Sequence, residues 1–482
     1  MTKLLPFLLA PFLIAAAPAT AQTAKIDADL RALVRPVSET RLRADIDRLV
    51  SFGTRHTLSS QTHPTRGIGA SLRWTEAEFA RIGRSCGGCL TIAKPSDTVT
   101  GRRVPNPTLV TNVLAIQRGT TDPNRVIVLS GHIDSRVSDV MDFTKDAPGA
   151  NDDGSGTALV IEAARVLSKH KFPATIVYAV LSGEEQGLLG GKILADYSKA
   201  QDWQVEANLN NDIIGNSCGS DGVCEPGVVR VFSEAVRGDF TPELLAQLRS
   251  LGGENDAPSR NLSRFIDGLA DRLKIGLDVR QVWRNDRFGR GGDHTEMLRA
   301  GFPAVRFSVA VENYDHQHQD LRTENGTKFG DTADEMDFPY LARVVQLNIA
   351  TAAALARAPA PPEVTVEGAV KPDTTVEYTV SDGPLTHTIM RRRTDASRWE
   401  AVPARDAGAA QTVKVLDYLD QRTGRRYGRT TYANTLKGVR VDDWVFGASS
   451  RSADGYESPV ASAVPGGAWK PLPVTMGAQP TR

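Results

Sequence analysis

The chain has 482 residues, 57 basic and 57 acidic side chains, zero formal net charge and four cysteines. That length fits two or three domains. The balanced charge and the lack of a long basic block exclude an electrostatic nucleic-acid surface, and the short clusters Arg391-Arg392-Arg393 and Arg422, Arg425, Arg426, Arg429 read as solvated strand and loop faces.

Met1-Thr2-Lys3, an apolar run from Leu4 to Ala17 and Ala19-Thr20-Ala21 before Gln22 have the form of a secretory signal peptide over residues 1–21 with an A-x-A cleavage site. The expectation is an exported protein, periplasmic or extracellular. No cysteine near the cleavage point offers lipid attachment, and no other segment approaches the ~20 apolar residues of a spanning helix, so no stable membrane anchor is expected. Export permits disulfides. Of the three possible pairings, the local one, Cys86 with Cys89 and Cys218 with Cys224, is the simplest.

Residues 26–52 carry apolar side chains at helical spacing, and 67–79 read as a second helix with Trp74 on its apolar face. Residues 111–117 and 125–130 read as strands joined by a polar turn. The second runs into Gly131-His132-Ile133-Asp134-Ser135, where His132 and Asp134 alternate and so face the same side of an extended backbone. This suits His132 as a metal ligand with Asp134 behind it fixing the tautomer. Gly149-Ala150-Asn151-Asp152-Asp153-Gly154-Ser155-Gly156 then places Asp152 or Asp153 near the start of an amphipathic helix over 157–170. The apolar strand 174–181 ends in Ser182-Gly183-Glu184-Glu185-Gln186-Gly187. Adjacent carboxylates at a strand's C-terminal end lie where open α/β sheets bind ligands, and they repel each other unless a cation holds them. A metal can hold one and leave the other free as a base. Residues 205–211 lead into Asp212, and Glu312 to Asp320 (ENYDHQHQD) contains His316 and His318, two of eight histidines in the chain. Carboxylate and imidazole donors without thiolate suit a hydrolytic zinc site.

After a strongly periodic helix over 341–355, residues 359–363 form a proline-rich linker. Short alternating strands follow at 364–366, 375–380, 386–392 and 444–449, so the expected class is an α/β three-layer sandwich with a mixed central sheet followed by a small all-β sandwich. The texture of 364–465, ending in Val445-Phe446-Gly447-Ala448-Ser449, resembles a fibronectin type III-like domain. Residues 466–482 read as a tail, disordered from Pro471.

The ordered set GHIDS, GANDDGSG, SGEEQGLLG, NNDIIGN and YDHQHQD resembles the M28 family of co-catalytic zinc exopeptidases over about residues 44–357. Gly291-Gly292-Asp293-His294-Thr295 with Gly301-Phe302-Pro303 resembles the segment before the family's last ligand, where Ser is more frequent at the position of Gly292. The resemblance implies two Zn²⁺ per chain. His132 and Asp212 would bind opposite ions and Asp152 would bridge them, with a cis peptide bond to Asp153. Glu185 would be a further ligand and Glu184 the general base. The family's His four residues before an acid selects His316, relative to Asp320, as the last ligand, with His318 as the alternative. It also implies peptide substrates and an exopeptidase. Aminopeptidase is the leading reading, because a glutamate carboxypeptidase-like enzyme needs a basic pocket and no basic pair is assignable. Arg322-Thr323 keeps that second reading open. Glutaminyl cyclases, which use one zinc for an intramolecular transfer, share the motifs. Retention of Glu184 argues against a non-catalytic binding module.

Overall fold

The computed structural model describes residues 17–381, 385–419 and 426–472. Most of the signal segment (1–16) and the end of the tail (473–482) lie outside the described residues.

The helical lead-in is two helices, α1 (Ala17–Val34) and α2 (Glu39–Val50), separated at Pro36. α1 is continuous through the expected cleavage point before Gln22. The side-chain oxygen of Ser38 accepts the Arg41 N–H and caps α2, which buries Leu42, Ile46 and Leu49 on one face. α3 (Ile68–Ser85) follows, ending at the Cys86–Cys89 disulfide (S–S 2.06 Å). The second expected disulfide, Cys218–Cys224, is also formed (2.05 Å).

Next come β1 (Thr91–Ala93), the hairpin β2 (Ser96–Gly101) and β3 (Val104–Thr111), β4 (Val113–Gln117), β5 (Asp122–His132), α4 (Gly154–Leu167), β6 (Ala174–Leu181), α5 (Leu189–Ala200) and β7 (Gln204–Asn211). They are followed by β8 (Val228–Phe232), α6 (Pro242–Ser250), α7 (Pro258–Leu273), β9 (Asp278–Val282), α8 (His294–Arg299) and β10 (Ala304–Val309). The short hairpin β11 (Arg322–Glu324) and β12 (Thr327–Phe329) precedes α9 (Phe338–Arg357). Eight strands form one mixed sheet in the order β1-β4-β6-β5-β7-β10-β8-β9. β6, β5, β7 and β10 run parallel at its centre, and β4 is antiparallel to β6.

The central strands are apolar on both faces, as strands covered by helices on both sides must be. Ile127, Leu129, Ile176, Tyr178 and Val180 enter the larger core with α1, α2, α4 and α9. Their neighbours Val126, Val128, Val177, Ala179 and Leu181 enter a second core with α5 and α8. This is the three-layer sandwich expected, and it puts the ends of β5, β6 and β7 side by side.

Beyond α9 lie β13 (Glu363–Glu367), β14 (Thr374–Ser381), β15 (Thr386–Arg393), β16 (Glu400–Ala401), the single turn α10 (Ala404–Ala407), β17 (Gln411–Leu419), β18 (Arg426–Leu436), β19 (Trp444–Arg451) and β20 (Ala461–Ser462). They make two four-stranded antiparallel sheets, β13-β14-β18-β17 and β16-β15-β19-β20. Val376 and Tyr378 of one sheet meet Ile389 and Phe446 of the other in a shared core. This unit packs on α7 and the loop before it through polar groups: Arg392 Nη2 lies 2.6 Å from Asp256 Oδ2 with both side chains buried, and Trp399 Nε1 donates to Asn261 Oδ1 at 2.9 Å. The start of the expected tail is ordered, because Arg237 donates to the carbonyls of Gly466 (3.2 Å), Ala468 (2.7 Å) and Lys470 (2.8 Å).

Candidate metal centre and catalytic cleft

Three consecutive parallel strands deliver the site. β5 ends at His132, which is buried. Its Nδ1 lies 3.1 Å from the backbone oxygen of Asp134, which turns Nε2 toward the cleft. The Asp134 carboxylate is 3.5 Å from the same Nδ1. Its main contacts are elsewhere. It accepts the N–H groups of Gly183 (2.9 Å), Glu184 (3.2 Å) and Glu185 (3.1 Å) and the Thr57 hydroxyl (2.9 Å). Asp134 therefore sits behind His132, as the spacing predicts, and also fixes the turn that carries both glutamates.

In the loop after β5 the two aspartates divide. Asp153 caps α4, accepting the Gly156 N–H at 2.8 Å, and takes the His132 N–H at 3.0 Å. Asp152, joined to it by a cis peptide bond, faces the cleft. Asp331 holds this loop by accepting the N–H groups of Asn151 (2.8 Å) and Asp152 (2.7 Å). Gly156 is required where α4 meets the sheet: a Cβ there would stand 2.2 Å from the Asn211 carbonyl oxygen. Asp212 follows β7, and Arg306 Nη2 lies 2.7 Å from its Oδ1.

His132, Asp152 and Asp212 form one triad of donor atoms, all within 4.8 Å of one another; Asp152, Glu185 and His318 form a second on the same criterion. Asp152 belongs to both. His132 Nε2 is 3.2 Å from Asp152 Oδ1, and His318 Nε2 is 2.9 Å from Asp152 Oδ2 and 3.0 Å from Glu185 Oε1.

His316, the histidine selected by the family spacing, is not in this cluster. Its Nδ1 lies 3.0 Å from the Gly330 carbonyl and its Nε2 3.5 Å from Glu335. The spacing misleads because the chain turns between Asn313 and His318, which brings the later histidine to the cleft. The Gln317 N–H donates to the Asn313 carbonyl at 3.1 Å, and His318 adopts a left-handed backbone with φ 56°. Asp320, the acid that set the spacing, is turned to Lys145 (2.9 Å) and Ser138.

Glu184 belongs to neither triad but lines the same cleft of about 300 Å³ with Asp152, Glu185, Asp212 and His318. Burial pushes its carboxyl well above the ordinary range, and the charges of Asp212 and Glu185 add to this. Burial acts the same way on Asp212, but the Arg306 guanidinium and the His132 imidazole together outweigh it and hold that carboxyl below its usual range. Burial would lower His318, yet Glu185 and Asp152 push it up to about 10.

The donor set fits divalent zinc. His132 Nε2, Asp152 Oδ1 and Glu185 Oε1 are buried and make no hydrogen bond. Buried lone pairs left without partners are costly unless a cation takes them. A separate acidic group, Asp267, Asp271 and Asp278, lies elsewhere, and Arg398 pairs with its first two members at 3.2 and 2.9 Å.

Sequence reasoning missed Asp331, Arg306 and Arg136. Arg306 had a signal, being the one charge in the buried strand Ala304–Val309. Asp331 had none. Arg136, whose Nε lies 3.0 Å from Glu185 Oε2, follows the HxD motif by two residues with nothing to mark it.

A parallel-centred sheet whose strand ends gather carboxylates and imidazoles without thiolate defines a zinc-dependent hydrolase. The family model described as peptidase family M28 matches residues 112–336. A protein named "probable zinc metalloprotease" from Leptosphaeria maculans is 40% identical over 443 residues, covering 91% of this chain and 97% of that one. One of the same name from Pyrenophora teres f. teres is 40% identical over 444 residues (91% and 87%). The crystal structure of the Legionella pneumophila LapA aminopeptidase shares the fold, with a TM-score of 0.50 at 19% identity over 73% of this chain and 80% of that one. The chain belongs to peptidase family M28 and is a zinc metalloprotease.

Proposed function

We propose that this chain is an exported dizinc aminopeptidase that removes N-terminal residues from peptides in the periplasm or outside the cell. The observation that carries the two-metal reading is the pair of donor triads sharing Asp152. His132 and Asp212, expected from the family resemblance at opposite ions, fall in one triad and would hold the same ion; Glu185 and His318 would hold the other, and Asp152 both. Bound there, two zinc ions would supply a Lewis-acid pair that acidifies a water and polarises the scissile carbonyl. Glu184 accepts the proton of the attacking water and passes it to the leaving nitrogen. Asp134 keeps Glu184 in place through the backbone N–H groups of the turn. A protonated α-amine is matched at this end of the cleft by the surrounding carboxylates. Export is supported by the signal-like N-terminus and the two disulfides.

Shared Asp152 favours this over the one-zinc glutaminyl cyclase reading. The glutamate carboxypeptidase-like reading has one observation on its side: Arg103, Arg136, Arg287 and Arg290 line the same cleft. The test is metal analysis together with an aminoacyl-amide panel, run beside carboxy-terminal glutamate and N-terminal glutamine substrates. Two zinc ions per chain with release of the N-terminal residue is the expected result. One zinc with cyclisation, or release of C-terminal glutamate, would replace the reading.

A further inference from the structure

The catalytic cleft is bipolar. At one end lie the carboxylates of the candidate metal centre. At the other, Arg287 and Arg290 are shared with a second cavity of about 480 Å³, so the two spaces adjoin. The second cavity is lined by four arginines, the two just named with Arg230 and Arg284, against one acid, Glu312.

That acid is already engaged. Glu312 Oε1 is 2.8 Å from Arg230 Nη2, and its Oε2 is 2.7 Å from Arg290 Nη1 and 3.5 Å from Arg287 Nη1. Asp286 adds a second carboxylate, 3.0 Å from Arg287 Nε and itself shared with Arg306. Two carboxylates still do not offset four guanidinium groups, so a positive excess remains. Arg290 makes no other side-chain hydrogen bond among the described residues, and a third of its side chain is exposed (33%). The Arg284 side chain makes no hydrogen bond or ion pair among them and stands over the ring of Phe288 at 5.4 Å. Phe288 is 87% and Tyr314 59% exposed at the same cavity. Guanidinium forks beside open aromatic faces match a carboxylate carried on a short organic chain, and planar bidentate recognition of that group is what arginine does best.

We propose that this extension binds a carboxylate on the leaving side of the scissile bond, which makes short peptides bearing that charge the substrate class. The inference rests on the exopeptidase reading. The carboxylate comes either from an acidic side chain or from the peptide's own C-terminus. In both cases Arg290, standing in both cavities, is the residue that meets it.

The test uses the full-length, zinc-loaded protein and four matched dipeptides with a fixed N-terminal residue followed by Glu or Gln, each as free acid and as amide. Losing a charge-assisted contact costs about 10- to 100-fold. The Glu free acid is expected to exceed the Gln amide by that factor in kcat/KM, mainly through KM, with a gap that narrows as salt rises. The Glu amide against the Gln amide reports the side chain, and the Gln acid against the Gln amide reports the terminus. A preference on either arm supports the inference. Arg290→Gln and Arg284→Gln should each shrink the gap, and Arg290→Lys should restore part of it. Glu312 keeps Arg230 in every variant, which protects the fold.

Binding of the same four peptides to Glu184→Gln protein reads selectivity without turnover. Equal affinities and equal kcat/KM across the set overturn the carboxylate site and leave the exopeptidase intact. A tenfold binding preference without hydrolysis of any peptide by the wild type keeps the carboxylate site and removes the exopeptidase reading.

Discussion

Arg306 and Asp212 form a buried ion pair, Nη2 to Oδ1 at 2.7 Å, directly behind the cleft. Asp212 Oδ2 is left facing His132 Nε2 at 3.9 Å. One carboxylate therefore serves an arginine with one oxygen and, on the reading proposed above, a metal with the other. Arg306 also reaches Asp286 at 3.2 Å.

Removing that guanidinium leaves the buried Asp212 without its partner and Asp286 with Arg287 as its remaining guanidinium (3.0 Å), and breaking a buried pair typically destabilises by about 3–5 kcal/mol. Zinc-free Arg306→Met is expected to melt well below the wild type, and Arg306→Lys to lie between. Zinc should then stabilise the Met variant more than the wild type, because Asp212 gains a partner it lacks. Thermal melts with and without zinc check this. Equal zinc-induced shifts in the two proteins would separate Arg306 from the metal centre.

The two histidines give a direct comparison. His318→Ala should lower zinc occupancy well beyond the ~10–100-fold typical of residues that only orient a ligand, while His316→Ala should leave occupancy near the wild type. Arg136 adds a related expectation. Its Nη2 lies 2.7 Å from His318 Nδ1. A metal on Nε2 needs Nδ1 to carry the hydrogen, so this guanidinium has to turn away. Arg136→Met should raise zinc affinity in a chelator competition, and a weaker site would refute the competition.

Glu184 and Glu185 are neighbours with separate expected phenotypes. Glu184→Ala should keep both zinc ions and lose turnover by ~10² or more. Glu185→Ala should lose zinc, since only Glu185 belongs to a donor triad. Metal analysis beside kinetics on one aminoacyl amide decides between them, and reversed phenotypes would exchange the two roles.

Away from the cleft, burial raises the Asp45 carboxyl from 3.8 to about 7, with the nearby charges of Glu78 and Glu162 adding to it and Arg41 and Arg81 opposing. A carboxyl that titrates higher when folded binds its proton preferentially in the native state, so its contribution is complete below about pH 4 and is lost as pH rises through about 7. In a dry site that displacement is worth about 4 kcal/mol; water at this half-buried position leaves about 1–2. Asp45→Asn should flatten the fall in stability between pH 5 and 8, measured by urea unfolding. An unchanged slope would exclude Asp45 as its source.

Much of this was legible in the sequence because apolar runs end in chemistry. The run 174–181 is β6 residue for residue, and the glutamates after it reach the cleft as the pattern implies. His132, Asp152 and Asp212 were legible for the same reason, each following a strand or preceding a helix. His318 was not. Its placement depends on a left-handed residue within a turn, and a spacing counted back from Asp320 has no access to that dihedral. Arg306 and Asp331 act through partners distant in sequence, Asp212 and the Asn151–Asp152 backbone, and no local periodicity encodes such pairings.

The C-terminal unit is moored at two points. Arg125 Nη2 grips the Ala358 carbonyl at 2.6 Å where the chain leaves α9, and Arg237 grips residues 466–470 where it comes back. Between these moorings Asp256 and Arg392 form a charged rivet that water does not reach. A segment fastened at both ends cannot swing as a pendant module on its proline-rich stem. A single cut within 359–362 would leave it in place, still clasped by its returning end. The strand-rich half is then a brace on α7, and its distance from the catalytic cleft is set by the fold and not by the reach of a linker.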